Sequence, residues 1–124
     1  TLLGWVERER LPDLLAAGDV ALVPLEDTLV NRCRCSVKLL DLMLSGRPIA
    51  AERVGQVGEY LRDGRTARLV EPGDDAGLAD AAVALLRDRV EAARLGAAAE
   101  RDARERFTWR SQRERLVAAI VGDR

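Results

Sequence analysis

The sequence predicts an α/β fold: a Rossmann-like parallel sheet of about four strands flanked by helices, followed by a helical C-terminal segment. Three observations carry this expectation. Short apolar runs alternate with helix-length patterns, the breaks between them fall on Gly and Pro, and the pattern from residue 75 onward is helical. Strands separated by single helices pair in parallel through right-handed crossovers. They are too short and too often interrupted for a barrel or sandwich. A length of 124 residues fits one domain, residues 1–124.

Each element has its own signal. "TLL" (residues 1–3) and "VALVPL" (residues 20–25) read as short buried strands, with a helix at 11–18 between them. Pro12 suits a first helical turn and Gly18 a C-terminal stop. "SVKLLDLMLSG" is the next helix, with Ser36 at its cap and Gly46 closing it. "RPIAA" begins a third strand, because Pro is tolerated where a strand starts. "VGQVGEYLRDG" reads as a loop with a short helix, and "TARLVEPGDD" as a fourth strand ending in a turn. Helices then span 75–88, about 91–106 and 109–121, the last capped by Thr108.

Composition excludes several classes. The net charge of −1 gives no overall drive toward nucleic acid or membrane, and aromatics at 3% leave little surface for stacking bases. The arginines of "RDARERFTWRSQRERL" are interleaved with acids, so a solvated face is expected there and not a nucleic-acid patch. No apolar run approaches the roughly 20 residues of a transmembrane helix. Histidine is absent, which removes the commonest general base and metal ligand. Cys33 and Cys35 have no further Cys or His with which to build a zinc site. Two reduced thiols in a cytosolic protein are expected, with neither metal nor cofactor. The chain opens mid-pattern without Met and reads as a fragment of a longer one.

The stretch "NRCRCSVKLLDLMLSGRPIAA" (residues 31–51) carries the candidate chemistry. In open parallel sheets ligands bind beyond the carboxyl ends of the strands, and the helix after residues 20–25 starts on that edge. Its first-turn N–H groups lack intrahelical partners, and the macrodipole adds roughly half a positive charge. Arg32, Arg34 and Lys38 nevertheless crowd around that end. A bound anion, phosphate above all, resolves the crowding. Asp41 is the one acid of an otherwise apolar helix, three residues after Lys38. Two readings stand side by side: a ribose diol held by Asp41 beyond phosphates at the helix start, or a local Lys38–Asp41 ion pair. Gly55, Gln56 and Glu59 fall in the loop after the "RPIAA" strand, on the same edge. Gly55 fits a turn with unusual backbone angles better than a ligand contact. Glu59 fits an exposed helix position or a cleft wall equally well.

The ordered set "KLLDLMLSGRPIAA", "VGQVGEYLRDG", "LVEPGD" and "RFTW" resembles the C-terminal half of family 4 (group 1) retaining glycosyltransferases of the GT-B fold, over nearly the whole chain. The resemblance implies a domain that binds a nucleoside diphosphate sugar for transfer of the sugar to an acceptor hydroxyl. It implies an N-terminal acceptor-binding domain in the same chain and inactivity of this part alone. Asp41 stands at the second acid of the family's motif of two acids separated by seven residues, the one that holds the ribose hydroxyls. Cys33 stands at the first. Ser36, Val37 and Lys38 match the helix start whose amides meet the pyrophosphate. The final helix is similar to the segment that packs back toward the partner domain, with Trp109 expected as a packing anchor. No catalytic residue is assigned. A non-catalytic module with a decayed site and a GT-B sugar-nucleotide epimerase are the alternatives. A cytoplasmic location is expected, with peripheral membrane contact of the full-length protein left open.

Overall fold

The computed structural model describes residues 3–122. Its sheet has three parallel strands in the order β1 (Ala21–Val23), β2 (Ile49–Glu52), β3 (Arg68–Val70). A 3-10 turn (Arg8–Arg10) and α1 (Leu11–Ala16) precede β1. The first crossover carries α2 (Leu29–Arg32) and α3 (Val37–Leu44), and the second carries α4 (Val57–Tyr60). After β3 come α5 (Asp75–Arg87), α6 (Arg89–Arg106) and α7 (Trp109–Val121).

Three strands stand where about four were expected. Of the "TLL" run, Thr1 and Leu2 lie outside the described residues and Leu3 is irregular. Three residues are too few for periodicity to separate a strand from a loop. Leu22 of β1 is 54% exposed, so one face of this edge strand has no cover among the described residues.

All four residues of β2 are buried, as befits a middle parallel strand covered on both faces. The strand's two-residue period splits the core. Ile49 and Ala51 join Leu39 and Met43 of α3 and Ala99 of α6, while Ala50 joins Leu78 and Leu85 of α5 and Leu95 of α6. Each fully buried Leu, Ile or Met contributes roughly 1.5–3 kcal/mol relative to exposure.

α6 reaches the core along a face of small residues: Ala92, Gly96, Ala99 and Ala103 are buried there with Leu95. At the crossing with α3, Gly96 lies under the turn that ends that helix. A Cβ on Gly96 would stand 2.0 Å from the carbonyl oxygen of Gly46. Gly46 itself has φ +68°, the left-handed conformation that terminates α3 where its sequence signal placed the stop.

Asp74, Asp88 and Thr108 cap α5, α6 and α7 through side-chain oxygens that accept first-turn N–H groups. No residue of α7 is buried, and Trp109 is 91% exposed. The expected packing anchor is therefore exposed among the described residues. No helix of the described residues is long and apolar enough to cross a membrane.

Candidate functional site

The loops that leave the carboxyl ends of β1 and β2 meet at the start of α3. Ser36 occupies the N-cap with extended backbone angles (φ −90°, ψ 95°), yet its hydroxyl makes no capping bond. Its carbonyl accepts from Leu39 N at 3.1 Å. The amides of Val37 and Lys38 make no hydrogen bond among the described residues and remain free donors at a positive helix end.

The cations divide unequally. Arg32 turns away from the helix start and forms a two-point pair with Asp27, Nε to Oδ1 and Nη2 to Oδ2 both at 2.6 Å. That bond holds the Asp27 carboxyl below its ordinary value and raises the Arg32 guanidinium. The expected crowd of three cations thus reduces to two. Arg34 and Lys38 are exposed and in no ion pair among the described residues. Sequence reasoning did not anticipate α2, whose Thr28 cap and short turn bring Arg32 round to Asp27.

Lys38 and Asp41 form no ion pair. Asp41 is half-buried, its carboxylate has no hydrogen-bond partner among the described residues, and it lines a cavity of about 160 Å³ with Arg8, Leu11, Pro12 and Leu15. The first turn of α3 borders a second cavity of about 500 Å³, where Val37, Gln56 and Glu59 meet Cys35, Tyr60 and Trp109. Ser36 and Gln56 also share the packed seam beneath the helix start, and the Oε1 atom of Gln56 is buried without a partner. The candidates therefore gather on the outward side of α3: Val37 and Asp41 stand one turn apart, Gln56 and Glu59 lie beside Val37, and the amides of Val37 and Lys38 stand at the helix start.

Gly55 has φ +52°, and a Cβ there would lie 2.6 Å from the carbonyl oxygen of Arg32. The glycine lets the loop after β2 pass against the backbone of α2, a structural need that ligand contact does not explain.

Tyr60 belongs to the site and carried no signal beyond being the only tyrosine. Its hydroxyl lies 3.2 Å from Cys35 Sγ, and its ring packs on Phe107 with centroids 4.9 Å apart. Arg106 stacks on Phe107 and donates to the carbonyl of Glu59 at 3.1 Å, which joins the end of α6 to α4. The bond to Cys35 is the largest cause of a phenol pushed up to about 12, followed by burial and the negative charges of Cys35 and Glu59. The raised value favours the neutral phenol in the folded state, so this term is fully present below pH 10 and is lost as pH rises toward 12. In an alkaline titration followed by phenolate absorbance, the single tyrosine should ionise near pH 12, and Cys35→Ala should move the midpoint toward 10. An unchanged midpoint would show that the sulfur does not hold the phenol.

The family model described as "Glycosyl transferases group 1" matches residues 1–88. The chain belongs to that family. It is 38% identical over 111 residues to an MMP alpha-(1->4)-mannosyltransferase of Mycolicibacterium hassiacum, covering 89% of this chain and 26% of that protein. It is 30% identical over 125 residues to a sulfoquinovosyl transferase of Arabidopsis thaliana, covering 94% of this chain and 23% of the relative. Among solved structures it resembles the sucrose-phosphate synthase of Thermosynechococcus elongatus, with TM-score 0.80 and 25% identity over 98% of this chain and 30% of the other. It also resembles HepE of Anabaena solved with UDP-glucose, with TM-score 0.78 and 22% identity over 96% of this chain and 31% of the other. At that identity the second likeness bears on the fold alone. The chain spans about a fifth to a quarter of the length of the curated relatives it matches.

Proposed function

We propose that this chain is the donor-binding part of a retaining GT-B glycosyltransferase that takes a sugar from a nucleoside diphosphate and places it on an acceptor hydroxyl. The observation that carries the reading is the start of α3. Two backbone amides stand free there beside Lys38, at the carboxyl edge of a parallel sheet in a chain of this family. A diphosphate completes that donor set, and the same groups stabilise charge on the diphosphate as it departs. Asp41, unpartnered and set past the first turn, is placed to accept hydroxyl donors from a ribose in the cavity with Arg8 and Leu11. Gln56 and Glu59 line the cavity beside Val37. An N-terminal domain of the same protein supplies the acceptor side, and the exposed apolar residues of α7 (Trp109, Leu116, Ile120) fit a helix that docks on it. The two exposed free thiols fit a cytoplasmic protein.

Asp41→Ala in the full-length protein should weaken nucleoside diphosphate binding by roughly 1–3 kcal/mol, with the fold little changed. Calorimetric titration reads the effect. Equal affinity in the variant and the wild type would remove the ribose role. One observation favours a second reading: Cys33, an exposed thiol, occupies the position of the family's first acid, as a decayed donor site would allow. Hydrolysis of nucleoside diphosphate sugar by the full-length protein, without acceptor, separates the enzyme from the decayed site.

A further inference from the structure

Glu52 ends the middle strand and is 3% exposed, yet among the described residues no cation pairs with it. A buried carboxylate persists only when hydrogen bonds replace its lost hydration. Here the two oxygens divide the task. Oε2 accepts the amide of Leu25 at 2.6 Å, and Oε1 accepts the amide of Gly73 at 2.7 Å. Leu25 lies just past β1 and Gly73 just past β3, so one side chain ties the loops of both outer strands to the central strand.

The loop that begins at Leu25 delivers the start of α3. Most of its other bonds are internal: Asn31 Nδ2 donates to the Glu26 carbonyl, Thr28 accepts from Asn31 N, and Arg32 pairs with Asp27. It is a preformed unit, and its position over the sheet is fixed from outside at few points. Leu25 is held by Glu52 and by packing of its side chain on the core, the backbone of Arg32 rests on Gly55, and Cys35 meets Tyr60. The Glu52 bond is the only charge-assisted one of these, and such bonds are the strong ones.

We propose that Glu52 is a positioning residue for donor binding: its carboxylate fixes the 25–36 loop against the sheet and so sets where the free amides of Val37 and Lys38 stand. This rests on the donor reading above. The two-acceptor requirement explains the residue type. Glutamine has the same length but offers one oxygen and one NH₂ group, so one backbone N–H would face another donor.

The test uses the full-length protein and titrates nucleoside diphosphate and free nucleoside against wild type, Glu52→Gln and Glu52→Asp. Glu52→Gln should lower diphosphate affinity about tenfold and nucleoside affinity less than about twofold, because Asp41 lies past the first turn of α3, outside the 25–36 loop, and lines its own cavity with Arg8 and Leu11. Hydrogen exchange across residues 25–36 should quicken in the same variant. Glu52→Asp keeps both oxygens on a shorter stem and should show the same selective loss to a lesser degree. Diphosphate affinity unchanged despite faster loop exchange overturns the positioning role. So does an equal loss for both ligands accompanied by a lower melting temperature, which marks a structural acid only. A wild type that binds no nucleoside diphosphate overturns the donor reading itself, and the positioning role falls with it.

Discussion

Gly96→Ala should destabilise the fold by about 3 kcal/mol or more, the largest single effect expected in this chain. The methyl group would meet the Gly46 carbonyl oxygen at 2.0 Å, its carbon at 2.8 Å and the Arg47 carbon at 3.1 Å. All three are backbone atoms, so no rotamer change relieves the contact. Either α6 retreats from α3 or the turn that ends α3 deforms. Retreat would open the packing of Leu39 and Met43 against Ala99 and Ala103. Domains of this size have only roughly 5–15 kcal/mol of total stability. Denaturant unfolding of the full-length protein reads the effect. Ala97→Gly, at an exposed neighbouring position, serves as the control, and its expected cost is about 1 kcal/mol from helix propensity. A Gly96→Ala variant within about 0.5 kcal/mol of wild type would show that the two helices separate without loss.

Lys38→Met should weaken nucleoside diphosphate binding by roughly 1.5–3 kcal/mol, about ten- to a hundredfold, and free nucleoside binding much less. Lys38 is the chain's only lysine. It is a compact charge that serves phosphate without the fork geometry of arginine. The structure sharpens the case in two ways. Arg32 is committed to Asp27, and Lys38 makes no pair with Asp41, so Lys38 has no internal role for the substitution to damage. Its place in the first turn of α3 is mildly unfavourable toward the macrodipole, so thermal stability without ligand should be unchanged or slightly raised. Methionine keeps the apolar stem. Normal diphosphate affinity in the variant would remove Lys38 from the site and leave the amides and Arg34 as its donors.

Much of the architecture was legible because local rules determine it. Gly46 and Thr108 act at helix ends as their signals indicated, through a left-handed backbone and through an oxygen that reaches three residues along the chain, whereas the caps Asp74 and Asp88 emerged only in the structure. Ser36 shows the limit of such rules. The residue stands where a cap belongs, but its hydroxyl is not used, and the open amides there are what make the helix start a candidate site. The Lys38–Asp41 alternative followed from spacing alone. It fails because Asp41 faces the α1 side while Lys38 remains in solvent.

The sequence by itself determined the alternation of strands and helices, the direction of pairing and the family. Those features are written in periodicity, end signals and an ordered set of motifs, all of which act over a few residues. Only the tertiary structure decided which charges remain free and which are neutralised. The pairing of Arg32 with Asp27 depends on a four-residue helix too short to leave a periodic trace. The roles of Glu52 toward Leu25 and Gly73, of Tyr60 toward Cys35, and of Gly96 beneath Gly46 join residues more than 20 positions apart. Such contacts arise when crossovers bring distant loops to one edge of the sheet. An acid at the end of an apolar strand then becomes a buried brace, because two backbone amides from other loops arrive at its two oxygens.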